Sequence, residues 1–109
     1  MRAAMISSLP TCESGSRLTG LTRLASGVKG YAILKGGAYY IPVIEAEHEG
    51  SGDVGRFLDA LDPAVTFKIP CVINPMLAGM LARRGFRTII EFTDDREPVE
   101  VWQRGVLTR

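Results

Sequence analysis

Glu45, Glu47 and His48 stand at the end of a β-branched, aromatic run, just ahead of Glu49-Gly50-Ser51-Gly52-Asp53-Val54-Gly55-Arg56. A carboxylate or imidazole at a strand end can take a proton from a nucleophile. Side chains alternate along a strand, so Glu45 and Glu47 share a face and His48 lies opposite or in the turn. All three are candidate general bases. Plain solvated polar residues are the alternative, most of all for His48. Beyond the glycine-rich turn, Phe57, Leu58 and Leu61 fall on one face of a helix. Such a turn gathers free backbone N–H groups at the positive end of the helix dipole, which makes a seat for phosphate. Gly50, Ser51, Gly52, Asp53, Val54, Gly55 and Arg56 are therefore the candidate phosphate-binding residues.

Other reactive side chains offer less. Cys12 and Cys71 lack metal-ligand spacing, and the chain has a single histidine, so no metal is expected. Cys71 has no second histidine to activate it, so both cysteines read as free thiols in a reducing cytoplasm, Cys71 half-buried. Thirteen basic residues against twelve acidic leave a net charge of +1, which argues against nucleic acid or an anionic membrane as partner. The apolar run at Met1–Ile6 is too short for a signal peptide, and no later stretch would span a bilayer.

These residues need elements to hold them, and 109 residues suit one domain, 1–109. Residues 2–8 suggest a short strand. Leu18, Leu21 and Leu24 suggest one helix over Ser16–Ser26, stopped by Gly27. Tyr31–Leu34 and Ala38–Glu47 read as strands joined by a Gly36-Gly37 hairpin turn. Pro42 removes a ladder donor from the second, so a bulge or an unpaired stretch is expected there. After the glycine-rich turn and its helix, Val65–Ile73 is the next strand, and the strand–helix–strand order implies a parallel pair. Asn74 as N-cap and Pro75 open a second helix through Met76, Leu77, Met80 and Leu81, which ends at Arg83-Arg84-Gly85. Phe86–Phe92 and Val99–Trp102 should close the chain as an antiparallel hairpin. The fold class is α/β: a twisted mixed sheet of about six strands flanked by two or three helices.

Gly50–Gly55 also fits the pattern G-x-G-x-x-G of dinucleotide sites. The acid expected at the end of the following strand is missing from Cys71–Pro75, and the chain is too short for a doubly wound sheet. From about Gly30 to Gly105 the ordered motifs instead resemble the GNAT superfamily of acyl-CoA-dependent N-acyltransferases. Glu49–Leu58 occupies the place of that family's Arg/Gln-x-x-Gly-x-Gly/Ala pyrophosphate loop, with about one residue more than its usual spacing. Asn74–Phe86 is similar to its second helix, with Asn near the start and Gly-Phe beyond the end.

The resemblance implies acetyl-CoA or coenzyme A as co-substrate and an N-acetyltransferase activity. It places the pyrophosphate on the backbone of residues 50–56 and adds Asn74 as a coenzyme contact. It also implies that a splayed strand frees backbone N–H groups near Ile44 and Ala46 to polarise the thioester, with Glu45 and Glu47 as catalytic bases. Arg83 or Arg84 is a candidate for the 3′-phosphate. The sequence departs from the family in three places. An acid, Glu47 or Glu49, replaces the loop's Arg or Gln; Leu81 stands where many members carry a general-acid tyrosine; and one helix, rather than two, precedes the sheet. Two functions are compatible with this pattern: direct acetyl transfer to a small-molecule or protein amine, or a non-catalytic scaffold that retains the coenzyme site. Apolar edge strands on a short domain further suggest a homodimer.

Overall fold

A computed structural model describes residues 5–11 and 22–105. Its elements are β1 (Thr22–Ala25), β2 (Val28–Lys35), β3 (Ala38–Ala46), α1 (Asp53–Ala60), β4 (Thr66–Pro70), α2 (Pro75–Arg83), β5 (Arg87–Phe92) and β6 (Pro98–Arg104). They form an α/β fold around one six-stranded mixed sheet in the order β1-β2-β3-β4-β6-β5. Every neighbouring pair is antiparallel except β3 and β4, which run parallel with α1 between them in sequence. Phe57 and Leu58 of α1, Leu61 just after it and Leu81 of α2 pack with Ile41, Phe67 and Ile69 into one core. Tyr39 stacks on Phe67, with ring centroids 5.7 Å apart.

Several sequence expectations are corrected. Of the helix expected over Ser16–Ser26, residues 16–21 lie outside the described part, and Thr22–Ala25 is strand. Ser26 and Gly27 make a tight turn, with Gly27 at φ 78°. The turn lays β1 against β2 and buries Leu24 in the core. Ladder bonds and burial outweigh a weak three-residue spacing. The strand expected over residues 2–8 is reduced to an isolated bridge at Ile6, a second bridge forms at Thr11 in the expected loop, and residues 2–4 are not described. The strand expected at Tyr31 begins at Val28 and runs through Gly30, where a Cβ would overlap the Val43 carbonyl. The strand expected to reach Ile73 stops at Pro70, because Cys71 turns to φ 56°.

The feature that shapes the molecule is a split between β3 and β4. They pair only at Ala38–Thr66, Tyr39–Phe67 and Tyr40–Lys68, although β3 continues to Ala46. Continuing that offset would set Pro42 opposite Pro70. Neither proline has an amide hydrogen to donate. A register shift against β2, between Tyr31 and Ile33, also puts a bulge in β3 around Ile41 and Pro42. The bulge and the unpaired stretch expected from Pro42 are both present. The double variant Pro42→Val/Pro70→Val should zip the strands further, and slowed amide hydrogen exchange at residues 42 and 70 would report it. Unprotected amides there would mean that something other than the prolines holds the strands apart.

Candidate functional site

The split opens into a cleft of about 990 Å³ between the end of β3, the glycine-rich turn, the first turn of α1 and one face of α2. Of the candidate site residues, Ile44, Glu45, Ala46, Glu47, Gly50, Gly52, Asp53, Val54, Gly55, Arg56 and Asn74 all line it. Ser51 does not, and acts instead inside the turn. Its hydroxyl accepts from the Asp53 amide at 3.3 Å, and its carbonyl accepts from Arg56 Nη2 at 3.0 Å.

The turn forms because Gly50 and Gly52 sit at φ 77° and 78°, where other residues are strained. Gly52 is the N-cap of α1 and brings no side-chain cap. Among the described residues the amides of Val54 and Gly55 find no acceptor, so they remain free at the positive end of the helix. Asp53 would oppose an anion there, but Arg56 is ion-paired to it. The bond from Arg56, and secondarily the one from Ser51, holds the Asp53 carboxyl below its usual range.

The end of β3 contributes backbone. The Glu47 amide donates to the Gly27 carbonyl at 2.8 Å, on the side of β2. Peptide groups alternate along a strand, so the peptide groups of Ile44 and Ala46 point the other way, into the split, where no ladder meets them. Of the two candidate carboxylates, Glu47 accepts from Arg23 Nη2 at 3.0 Å. Glu45 is exposed and makes no side-chain hydrogen bond to another described residue. His48 is exposed as well.

The wall made by α2 is basic and apolar. Asn74 Oδ1 caps the helix by accepting from the Met76 amide at 2.9 Å. Arg84 is held by Asp59 at 2.8 Å and by the Met80 carbonyl at 3.0 Å, while Arg83 lines the cleft beside it. Leu81 is 0% exposed and belongs to the core, so no proton donor reaches the cleft from that position. Cys71 is exposed rather than half-buried, since its positive φ turns it out of the sheet. Among the described residues no group of three His, Cys, Asp or Glu could hold a metal, and no helix is long and apolar enough to cross a membrane.

Sequence reasoning missed a polar cluster at the head of the split. Lys68, 6% exposed, is ion-paired to Glu91 and donates to the Tyr40 hydroxyl at 3.2 Å. Tyr40 in turn donates to Glu91 at 2.8 Å. The cluster ties the last paired rung of β3 and β4 to β5, across β6. Burial would raise the Glu91 carboxyl and lower the Lys68 amine. The bonds between them outweigh it, so Glu91 is lowered and Lys68 raised. Burial and the bond to Glu91 raise the Tyr40 hydroxyl. The available signal was Lys68 itself, the one charged residue of its strand.

Comparison with family models, characterised proteins and solved structures finds no match to this chain.

Glu91→Gln should lower the unfolding free energy at pH 7 by about 1–3 kcal/mol, because it leaves a buried ammonium without its anion. A depressed carboxyl contributes fully above its unfolded value, ordinarily 4.5, and loses the contribution as pH falls through the folded value. The raised Lys68 amine contributes fully below its ordinary 10.5 and loses that contribution as pH rises through the folded value. The difference between wild type and variant in denaturant titrations should therefore shrink from pH 7 to pH 3. An equal difference at both would show that the substitution acts by some route other than the ion pair.

Proposed function

We propose that this domain is an acyl-CoA-dependent N-acyltransferase on the GNAT plan, which moves an acetyl group from acetyl-CoA to an amine by direct attack. One observation carries the reading: the strand split and the phosphate-competent turn open on a single cleft. A nucleotide coenzyme with a long acyl-bearing arm needs that pairing. The free amides of the α1 terminus suit a pyrophosphate, and the unpaired peptide groups of Ile44 and Ala46 suit an amide-containing arm and its thioester. Asn74 and Arg83 lie on the wall that the nucleotide end would meet.

In this reaction the ammonium first gives up a proton, and its nitrogen attacks the thioester carbonyl carbon. The C–S bond then breaks with its electron pair on sulfur, the nitrogen loses a second proton, and the thiolate gains one. Amide, free thiol and one net proton result. Glu45 is the base with a carboxylate unengaged at the cleft, and Glu47 beside it is paired to Arg23. With Leu81 buried, solvent protonates the thiolate. That same leucine favours the second reading, a coenzyme-binding scaffold without turnover. We further propose a cytoplasmic homodimer joined through β5, an edge strand that exposes Ile90 and Phe92.

Calorimetric titration with acetyl-CoA should show micromolar binding to wild type and none to Gly52→Asp, with both proteins folded by circular dichroism. Equal affinity in the variant would remove the turn as the phosphate seat. Glu45→Gln should keep that affinity and lower kcat about 10²-fold or more; unchanged kcat would exclude it as the base.

A further inference from the structure

We propose that β5 pairs antiparallel with β5 of a second copy of this chain, about a twofold axis that passes through Ile89. The pairing deepens the homodimer proposed above and rests on it, but it does not depend on the acyltransferase function. Of the two sheet edges, β5 is the one open to pairing. The other, β1, has only four residues and a register break between Arg23 and Ala25, features that blunt an edge. β5 runs for six residues, and its Ile89, Ile90 and Phe92 are 36%, 57% and 70% exposed. Among the described residues no strand covers its outer side.

The ladder fixes which backbone groups of that edge are free. The Cys71 amide donates to the Glu100 carbonyl at 3.1 Å, so Glu100 turns its peptide groups toward β4. In an antiparallel ladder both groups of a residue point to one side, and the side alternates along the strand. Val99 and Val101 therefore bond to β5, where their partners are Glu91 and Ile89. Thr88 and Ile90 are left with N–H and C=O directed outward. A twofold axis through Ile89 sets Thr88 of each copy opposite Ile90 of the other, and these groups then satisfy one another.

Side chains select this register over its neighbours. An axis normal to the sheet keeps each face continuous, so a residue meets only residues of its own face. Arg87, Ile89 and Glu91 share a face, opposite Gln103, Val101 and Val99. With the axis at Ile89, the two Ile89 side chains meet, and Arg87 of each copy faces Glu91 of the other. An axis at Ile90 would set Ile89 against Glu91, and one at Thr88 would set Arg87 against Ile89. Both alternatives leave an apolar side chain facing a charge. Arg87 is exposed and has no ion pair among the described residues. The Glu91 side chain is 28% exposed, and Lys68 and Tyr40 donate to different oxygens of it. A carboxylate has about four lone-pair positions, so acceptor capacity remains for a guanidinium. Glu91 and Phe92 also line a cavity of about 660 Å³. Arg87 of the second copy would therefore stand at the rim of that cavity, which takes part of its wall from each subunit.

Analytical ultracentrifugation and disulfide trapping of the full chain, without coenzyme, test the pairing. Wild type should sediment as a dimer at micromolar concentration. Arg87→Glu sets like charges opposite each other at both ends of the paired segment, and should raise the dimer dissociation constant about tenfold or more. For trapping, both native cysteines are replaced, as Cys12→Ser and Cys71→Ser. Ile89→Cys in that background should form an intersubunit disulfide, because the two residues are a non-hydrogen-bonded pair with Cα atoms about 4.5 Å apart. Ile90→Cys should not, because its counterpart lies on the diagonal, about 7–8 Å away. A wild type that is only monomeric ends the homodimer and this pairing together. A dimer that is trapped through residue 90 instead of 89 overturns the pairing and leaves the homodimer standing. Wild-type dimer affinity in a folded Arg87→Glu protein does the same.

Discussion

Two prolines facing each other across a parallel strand pair are the constraint on which this structure depends. A ladder of β3 and β4 that ran its full length would be a closed surface, with its backbone groups consumed in hydrogen bonds. Pro42 and Pro70 remove the donors at the rung where the ladder would continue, and the bulge at Ile41 and Pro42 turns β3 away. The sheet is left short, with a gap in its centre lined by peptide groups that still have bonds to make. Unpaired backbone is costly when buried away from water. A cleft that admits solvent, or a ligand rich in amides, is the way such a gap is satisfied.

Everything around the gap is arranged to hold it open without unfolding it. Below it, the paired rungs from Ala38 to Tyr40 are backed by Tyr39 on Phe67 and by the core under α1 and α2. At the last rung Lys68, Tyr40 and Glu91 lock three strands together on the other face. This is an ion pair shielded from water by its neighbours, so its value lies less in net stability than in fixing which strands sit where. Above the gap, the turn at Gly50–Gly52 brings the end of β3 round to the start of α1, with free amides aimed into the same cleft.

The charge layout obeys the same division. The cleft face combines a helix terminus, arginines on α2 and acidic residues at the strand end, several of which neutralise one another: Asp53 with Arg56, Asp59 with Arg84, Glu47 with Arg23. Glu45 on β3, Glu49 in the turn and Arg83 on α2 are thereby left as charged side chains of that cleft without an ion pair among the described residues. On the other face the glutamate is presented and the lysine withheld.

Local sequence alone determined the turn, both helices, the Asn74 cap, the closing hairpin and the break at Pro42, because each rests on short-range effects: φ limits, missing donors and helical periodicity. Glu45 and residues 50–56 could be singled out for the same reason, since a strand, a turn and a helix contiguous in the chain must lie together, whereas Asn74 as a coenzyme contact came only from the family resemblance. The remainder needed the tertiary structure. Thr22–Ala25 becomes a strand only because β2 is there to pair with it. Pro70 gains its meaning only from Pro42, whose position opposite it depends on a register that long-range pairing sets. Tyr40, Lys68 and Glu91 come from three separate strands and meet only because the chain places β6 between β4 and β5. Local propensity has no term for any of these. Each is a contact between residues far apart in the chain, and the packed core decides which of them form.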